Sequence, residues 1–117
     1  MIDKTSEQNA KKIYFTESRE LLDSMEMSLL ALEKESGDED SINAVFRAAH
    51  TIKGNSGMFG YGRIGDFTHV LESVLVSVRN GAIKITPDMT SLFFECHDFI
   101  LTLLFHYESD EDIPLDE

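Results

Sequence analysis

The stretch AAHTIKGNSGMFGYG, residues 48–62, combines a helical apolar pattern with glycines at positions 54, 57, 60 and 62, and another glycine follows at 65. Glycine inside a helix costs roughly 0.5–1 kcal/mol relative to alanine. Two of these glycines lie about one and two turns after His50, so the need for a helix alone does not account for them. The stretch predicts a helix whose bare face beside a histidine lets a second protein come close.

Four amphipathic segments surround and include this stretch. The first covers about 14–35, the second leads up to the glycines, the third covers about 64–78, and the fourth runs from 86 to about 107. Apolar residues recur in each at spacings of three, four and seven, which indicates one buried helical face per segment. The four stripes are Phe15, Leu22, Met25, Leu29 and Leu32; Ile42, Val45, Ala49, Ile52 and Ser56; Ile64, Phe67, Leu71, Val74 and Val78; and Met89, Phe93, Cys96, Ile100, Leu103 and Tyr107.

Capping and turn residues separate the segments. Gly37 suits the left-handed position after the first helix, and Asp38 or Asp40 can cap the second. Thr86 fits the N-cap of the fourth and Pro87 its first helical position. The short run AIKIT at 82–86 is interpreted as a connector.

The fold class expected from these segments is all-α, an antiparallel four-helix bundle in a single domain. We expect a flexible N-terminal segment at 1–12, the bundle at 13–107, and an acidic, frayed or disordered tail at 108–117.

Charge and composition narrow the function classes. Ten basic and 22 acidic residues give a net charge of −12, which disfavours nucleic acid and anionic membranes as partners. Residues 1–12 lack the apolar core of a signal peptide, and the apolar runs are too short to span a bilayer. The expectation is a soluble cytoplasmic monomer. Cys96, the single cysteine, excludes an internal disulfide and is expected to be a small buried hydrophobe.

The helical register places His50 about 120° from the centre of its apolar stripe, at the solvent-facing edge of the second helix. A hairpin of the second and third helices centred on Tyr61 makes positions level when their numbers sum to 122. His50 is then level with Glu72, and Lys53 with His69. A carboxylate that accepts a hydrogen bond from Nδ1–H would leave Nε2 outward as a nucleophile, and Lys53 could offset the charge of a group transferred to it.

Each of these residues can also be interpreted without a functional role. A lone histidine on a helix is often incidental, and Glu72 and Lys53 could belong to a solvated face. His69 is either a site member or a boundary residue, whereas His97 and His106 are expected to be structural or surface residues. No three metal ligands can be assembled convincingly, and no phosphate-binding loop or Ser-His-Asp arrangement is present, so metal binding and independent catalysis are not expected.

The run FRAAHTIKGNSGMFGYGRIGDFTHVLES, residues 46–73, resembles histidine phosphotransfer (HPt) domains, and among them the N-terminal domains of CheA-type chemotaxis histidine kinases. The pattern AAH-x-[IL]-KG-x-x-G-x-FG and the later T-H-x-x-E match without a gap. The similarity extends, with decreasing strength, from about Phe15 to about Tyr107.

The resemblance implies a four-helix bundle in which a histidine kinase catalytic domain phosphorylates His50 on Nε2, and the group then passes to an aspartate of a response-regulator receiver domain. It also implies that Lys53, His69 and Glu72 surround His50, with Glu72 orienting the ring. Partners would dock on the surface that includes Arg47, Gly54 and Gly57. No cofactor is expected in the chain itself, because partner domains would supply ATP and magnesium.

The resemblance leaves two matters open. CheA-attached members often carry a fifth helix, and no kinase, dimerisation or coupling segment is found here, so the chain is either a piece of a larger kinase or a free-standing carrier. The alternative function is a helical interaction module that docks receiver or kinase domains without becoming phosphorylated.

Overall fold

The computed structural model describes residues 4–111, which form four helices. They are α1 (Lys4–Lys34), α2 (Glu39–Met58), α3 (Gly62–Arg79) and α4 (Pro87–Asp110). Within the described range, each helix lies beside its neighbours in the order α1, α2, α3, α4 and back to α1, and the diagonal pairs are not adjacent. Because short connections join successive neighbours, the architecture is the predicted antiparallel four-helix bundle.

The core contains most of the residues of the predicted apolar stripes, together with residues outside them. Every predicted stripe residue of α1 and α2 is buried. In α3, Phe67 and Val74 are only partly buried, whereas Leu75 and Thr68 face the core. Thr68 satisfies its hydroxyl on the carbonyl of Ile64 at 2.6 Å, so a polar residue is accommodated in the core without an orphaned donor.

The core face of α4 is wider than its predicted stripe. Besides Phe93, Ile100 and Leu103, the side chains of Thr90, His97 and Leu104 are buried, and Cys96 is only half-buried. His97 lies 2.9 Å, through Nε2, from the carbonyl oxygen of Leu22 on α1. His97 is therefore a structural residue, one of the two roles expected for it, and its burial does not follow from a pattern of apolar residues.

The first helix begins ten residues earlier than the apolar pattern indicates. Residues 4–12, expected to be flexible, are helical and continuous with the rest of α1. They carry no apolar stripe, but they contain no helix breaker, and Lys11 forms ion pairs with Glu7 at 3.8 Å and with Glu111 at 3.0 Å.

The end of α4 also differs from the expected tail at 108–117. The helix continues to Asp110, and both Glu108 and Glu111 bind other parts of the bundle. Glu108 pairs with Arg19 at 2.7 Å, and Glu111 accepts hydrogen bonds from Lys11 at 3.0 Å and from Tyr61 at 2.8 Å. Residues 112–117, the remainder of that predicted tail, lie outside the described range.

Local signals at the helix ends are partly confirmed. Thr86 caps α4 by accepting a hydrogen bond from the Met89 amide at 3.2 Å, with Pro87 at the first helical position. Asp38 precedes α2, but its carboxylate accepts from the Ser41 hydroxyl and does not bond the helix amides. Gly37 does not adopt a left-handed conformation; within residues 4–111 the positive φ values belong to Gly60 (77°) and Gly81 (78°).

None of the helices within residues 4–111 combines the length and the hydropathy that a bilayer span requires.

Candidate functional site

The turn between α2 and α3 sets the register of these two helices. Gly60 has φ of 77°, and the amide of Tyr61 donates to the Ser56 carbonyl at 3.0 Å. The side chain of Tyr61 is buried, and its ring lies among those of Tyr14, Phe15 and Tyr107, with centroids 4.5–5.5 Å away. Because the buried Tyr61 ring holds the centre of the turn in place, α2 and α3 have a single register relative to each other.

That alignment brings His50 and Glu72 together, as the sum of 122 predicts. Nδ1 of His50 lies 2.8 Å from Oε2 of Glu72. The His50 side chain is 62% exposed, whereas the Glu72 side chain is only 13% exposed. The histidine is thus at the rim, and the carboxylate behind it is mostly shielded by the seam between α2 and α3.

Glu72 is held as a carboxylate. A hydrogen bond from Lys53 is the largest cause that lowers the pKa of Glu72, and a hydrogen bond from His50 adds to it, while burial acts in the opposite direction. An ionised carboxylate only accepts hydrogen bonds, so Nδ1 of His50 must carry the proton at neutral pH. In the neutral ring the lone pair then belongs to Nε2, and within residues 4–111 no protein group hydrogen-bonds that atom.

Lys53 binds the second oxygen of the same carboxylate. Its ammonium lies 2.8 Å from Oε1 of Glu72. The hairpin arithmetic places Lys53 level with His69, but the lysine side chain extends along the seam by about a turn and reaches the carboxylate instead. Glu72 therefore bridges a histidine and a lysine from α2, with one oxygen for each.

The structure does not bring every predicted site residue into this group. His69 is exposed, and in the described part of the chain its ring makes no hydrogen bond, although its backbone carbonyl accepts one from the Ser73 hydroxyl. Arg47 is exposed on α2, close to His50 in the helix. At Gly54 and Gly57 an added Cβ would meet nothing within 4 Å, so the surface beyond the histidine is open.

Two residues near His50 were missed by the sequence analysis as site members. The ring of Phe46 is stacked with the His50 ring, with centroids 6.0 Å apart and planes 15° from parallel. The guanidinium carbon of Arg79 lies 4.2 Å from the Phe46 centroid. The signal available was weak: Phe46 is one turn before His50, and positions 46 and 79 sum to 125, close to the hairpin sum.

The chemistry available at this site is that of a single nucleophile. A neutral imidazole nitrogen directed at solvent and backed by an ionised carboxylate can attack an electrophilic centre presented by another molecule. No group of three His, Cys, Asp or Glu side chains within residues 4–111 is arranged to hold a metal ion. The arrangement is suited to accept a group from an electrophile that another molecule binds and activates.

Comparison with known proteins gives concordant similarities. The family described as the Hpt domain matches residues 10–104. The chain is 40% identical over 99 residues to chemotaxis protein CheA of Salmonella typhimurium and 39% identical over 92 residues to chemotaxis protein CheA of Bacillus subtilis. These regions cover 85% and 79% of this chain but only 15% and 14% of the two relatives, so the chain spans about one seventh of their length.

Solved structures show the same similarity in three dimensions. The CheA phosphotransferase domain from Thermotoga maritima has a TM-score of 0.80 at 34% identity, covering 86% of this chain and 95% of that one. The phosphorylated P1 domain of CheA3 from R. sphaeroides, solved in complex with CheY6, has a TM-score of 0.83 at 25% identity, covering 88% and 80%.

Proposed function

The chain belongs to the Hpt domain family, and from that premise we propose that it is a phosphoryl carrier whose acceptor is Nε2 of His50. The observation that carries the proposal is the Nδ1–Oε2 contact of 2.8 Å between His50 and a mostly shielded Glu72. This contact fixes the tautomer and leaves the Nε2 lone pair exposed, which is the state that a nitrogen nucleophile needs.

In the proposed first transfer, Nε2 attacks the γ-phosphorus of ATP bound to a histidine kinase catalytic domain. The N–P bond forms while the bond to the bridging oxygen breaks, and ADP leaves with that electron pair. The ring gains positive charge as the bond forms, and the Glu72 carboxylate on Nδ1–H stabilises it. ATP and magnesium belong to the kinase partner, so this chain is a substrate and carrier and not itself an enzyme.

In the proposed second transfer, a carboxylate oxygen of a receiver-domain aspartate attacks the same phosphorus. The N–P bond breaks, and its electron pair returns to Nε2. The solved complex of a phosphorylated CheA3 P1 domain with CheY6 supports a receiver as the second partner. The open surface at Gly54 and Gly57, with Arg47 nearby, is the docking surface that the proposal assigns to both partners.

Lys53 has a charge role in this proposal. Its ammonium neutralises Glu72 before transfer and lies on the same side of α2 as His50, where the transferred group would bring negative charge. His69 is given no role beyond that of a neighbour of the site. Within residues 4–111 no hydrogen bond connects its ring to His50, Lys53 or Glu72.

The test is phosphorylation by a CheA-type kinase core with radiolabelled ATP, comparing wild type with His50→Gln. His106→Gln is the matched control, because His106 is an exposed histidine on α4. We expect acid-labile, base-stable label on wild type and on the control, and none on His50→Gln.

Several kinase cores should be tried, each shown to phosphorylate its own phosphotransfer domain. If none of them labels the wild type, the proposal is overturned. The chain would then be the non-phosphorylated interaction module. In that case His50→Gln would be expected to weaken binding to a receiver or kinase domain and to change nothing else.

A further inference from the structure

The stack of Phe46 on His50, with Arg79 over the Phe46 ring, has no part in the transfers described above. The phenyl and imidazole planes are 15° from parallel with centroids 6.0 Å apart, inside the range of offset aromatic stacking. The two residues are four apart on α2, so their side chains lie on one face of the helix, one turn from each other.

The hydrogen bond to Glu72 leaves one degree of freedom of the His50 ring undetermined. The orientation of the ring depends on two torsions, χ1 and χ2, and a single contact at Nδ1 restrains only one combination of them. Nε2 lies on the far side of the ring, and with a side chain that is 62% exposed little else restrains it. The direction of the Nε2 lone pair therefore depends on what sets the plane of the ring.

The phenyl ring of Phe46 lies against the face of the His50 imidazole. Phe46 is half-buried and packs against the hydrophobic core, so its own position is restrained from below. A flat contact with a restrained ring limits the rotation of the His50 ring that the hydrogen bond still permits.

Arg79 restrains Phe46 from the third helix. Its guanidinium carbon is 4.2 Å from the ring centroid, a distance at which a cation is attracted to an aromatic face. Arg79 is the last residue of α3, seven residues after Glu72. Within residues 4–111 the guanidinium forms no ion pair, so its contact with the phenyl ring is the main interaction that holds it. The third helix thus acts on His50 twice, directly through Glu72 and indirectly through Arg79 and Phe46.

We infer that Phe46 and Arg79 are positioning residues that set the plane of the His50 ring and so the direction of Nε2. The inference rests on the proposed function only for its kinetic consequence, because the restraint on the ring is a property of the unmodified protein.

The first arm of the test measures the ring itself. In wild type, NMR of the His50 ring should show a shift of its Cδ2 and Cε1 protons caused by the Phe46 ring current, and restricted motion from 13C relaxation. Phe46→Leu, which keeps an apolar side chain and a good helix former but removes the ring, should abolish the shift and lower the order parameter. Phe46→Tyr should retain both, and the ring of His106 should be unaffected in each variant.

The second arm measures reactivity with phosphoramidate, a small donor that requires no docking surface. Nε2 attacks its phosphorus and ammonia leaves with the electron pair of the P–N bond. We expect Phe46→Leu to react about threefold to tenfold more slowly, the factor that corresponds to the usual strength of an aromatic pair. Phe46→Tyr should recover most of the rate. Arg79→Met, which keeps an unbranched stem without the cation, should give a smaller decrease in the same direction.

The outcomes separate this inference from the proposed function. An unchanged order parameter and an unchanged rate in both Phe46→Leu and Arg79→Met would overturn it. Failure of wild type to accept phosphate from any donor would overturn the proposed function, whereas the NMR arm would still decide the positioning. If Phe46→Leu does not fold, Arg79→Met alters only an exposed side chain and decides the question by the same two measurements.

Discussion

Removal of the Glu72 carboxylate is the sharpest perturbation of the proposed acceptor. Glu72→Ala deletes the acceptor of the His50 Nδ1–H bond, which is 2.8 Å long, and also the negative charge behind the ring, which Lys53 contacts at 2.8 Å. Glu72→Gln keeps an amide oxygen that can accept from Nδ1–H but removes the charge. The pair of variants therefore separates orientation of the ring from stabilisation of its developing positive charge.

The magnitude follows from the kind of contact. A hydrogen bond to a charged group contributes about 1.5–3 kcal/mol, which corresponds to about a tenfold to hundredfold change in rate. Because the His50 side chain is 62% exposed, water takes over part of this role, and the lower end applies. We expect phosphorylation of Glu72→Ala to be about tenfold slower, and that of Glu72→Gln to lie between this variant and wild type.

The assay is the initial rate of labelling by a CheA-type kinase core at saturating ATP, with urea unfolding of each variant alongside it. Glu95→Ala is the matched control, since it removes one exposed carboxylate from α4, away from His50. Wild-type kinetics in Glu72→Ala would refute the orienting role. Equal rates in Glu72→Ala and Glu72→Gln, both slow, would assign the effect to charge alone.

Three further predictions follow from single contacts. Lys53→Met leaves Glu72 with one partner fewer, so the pKa of Glu72 should rise toward its ordinary value of 4.5, as measured by carboxyl 13C NMR. Since the folded-state pKa of Glu72 is lowered, the stability that its ionised form contributes is present above pH 4.5 and is lost as pH falls through the lowered value. The difference in unfolding free energy between wild type and Glu72→Gln should therefore shrink from pH 6 to pH 3. A constant difference would contradict this. Thr86→Ala removes the cap on the Met89 amide and should cost about 1 kcal/mol in urea unfolding, with phosphorylation unchanged.

Much of the bundle and the central contact of the site were predictable because they depend on regular periods. The apolar stripes of α1 and α2 follow directly from the helical repeat. The pairing of His50 with Glu72 follows from one assumption, that the turn is centred on Tyr61, because two antiparallel helices then advance at the same rise per residue.

The features that were not predictable depend on long side chains or on residues far apart in sequence. Lys53 reaches Glu72 because its flexible stem spans a turn, which a comparison of backbone levels ignores. The first turns of α1, at residues 4–12, are tied to the end of α4 by an ion pair between Lys11 and Glu111, 100 residues apart, and no local pattern indicates it. The attraction between Arg79 and Phe46 likewise needs the packed pair of helices before it can be seen.

The two open glycines of α2 carry a thermodynamic consequence. At Gly54 and Gly57 a methyl group would meet no atom of this protein within 4 Å, and neither residue has a positive φ. Alanine at both positions would therefore raise helix propensity with no steric penalty, by about 1–2 kcal/mol in total. In a marginally stable domain this is a sizeable fraction of the folding free energy. The packing of this protein therefore does not require glycine at either position, which agrees with the docking surface proposed for the partners of His50.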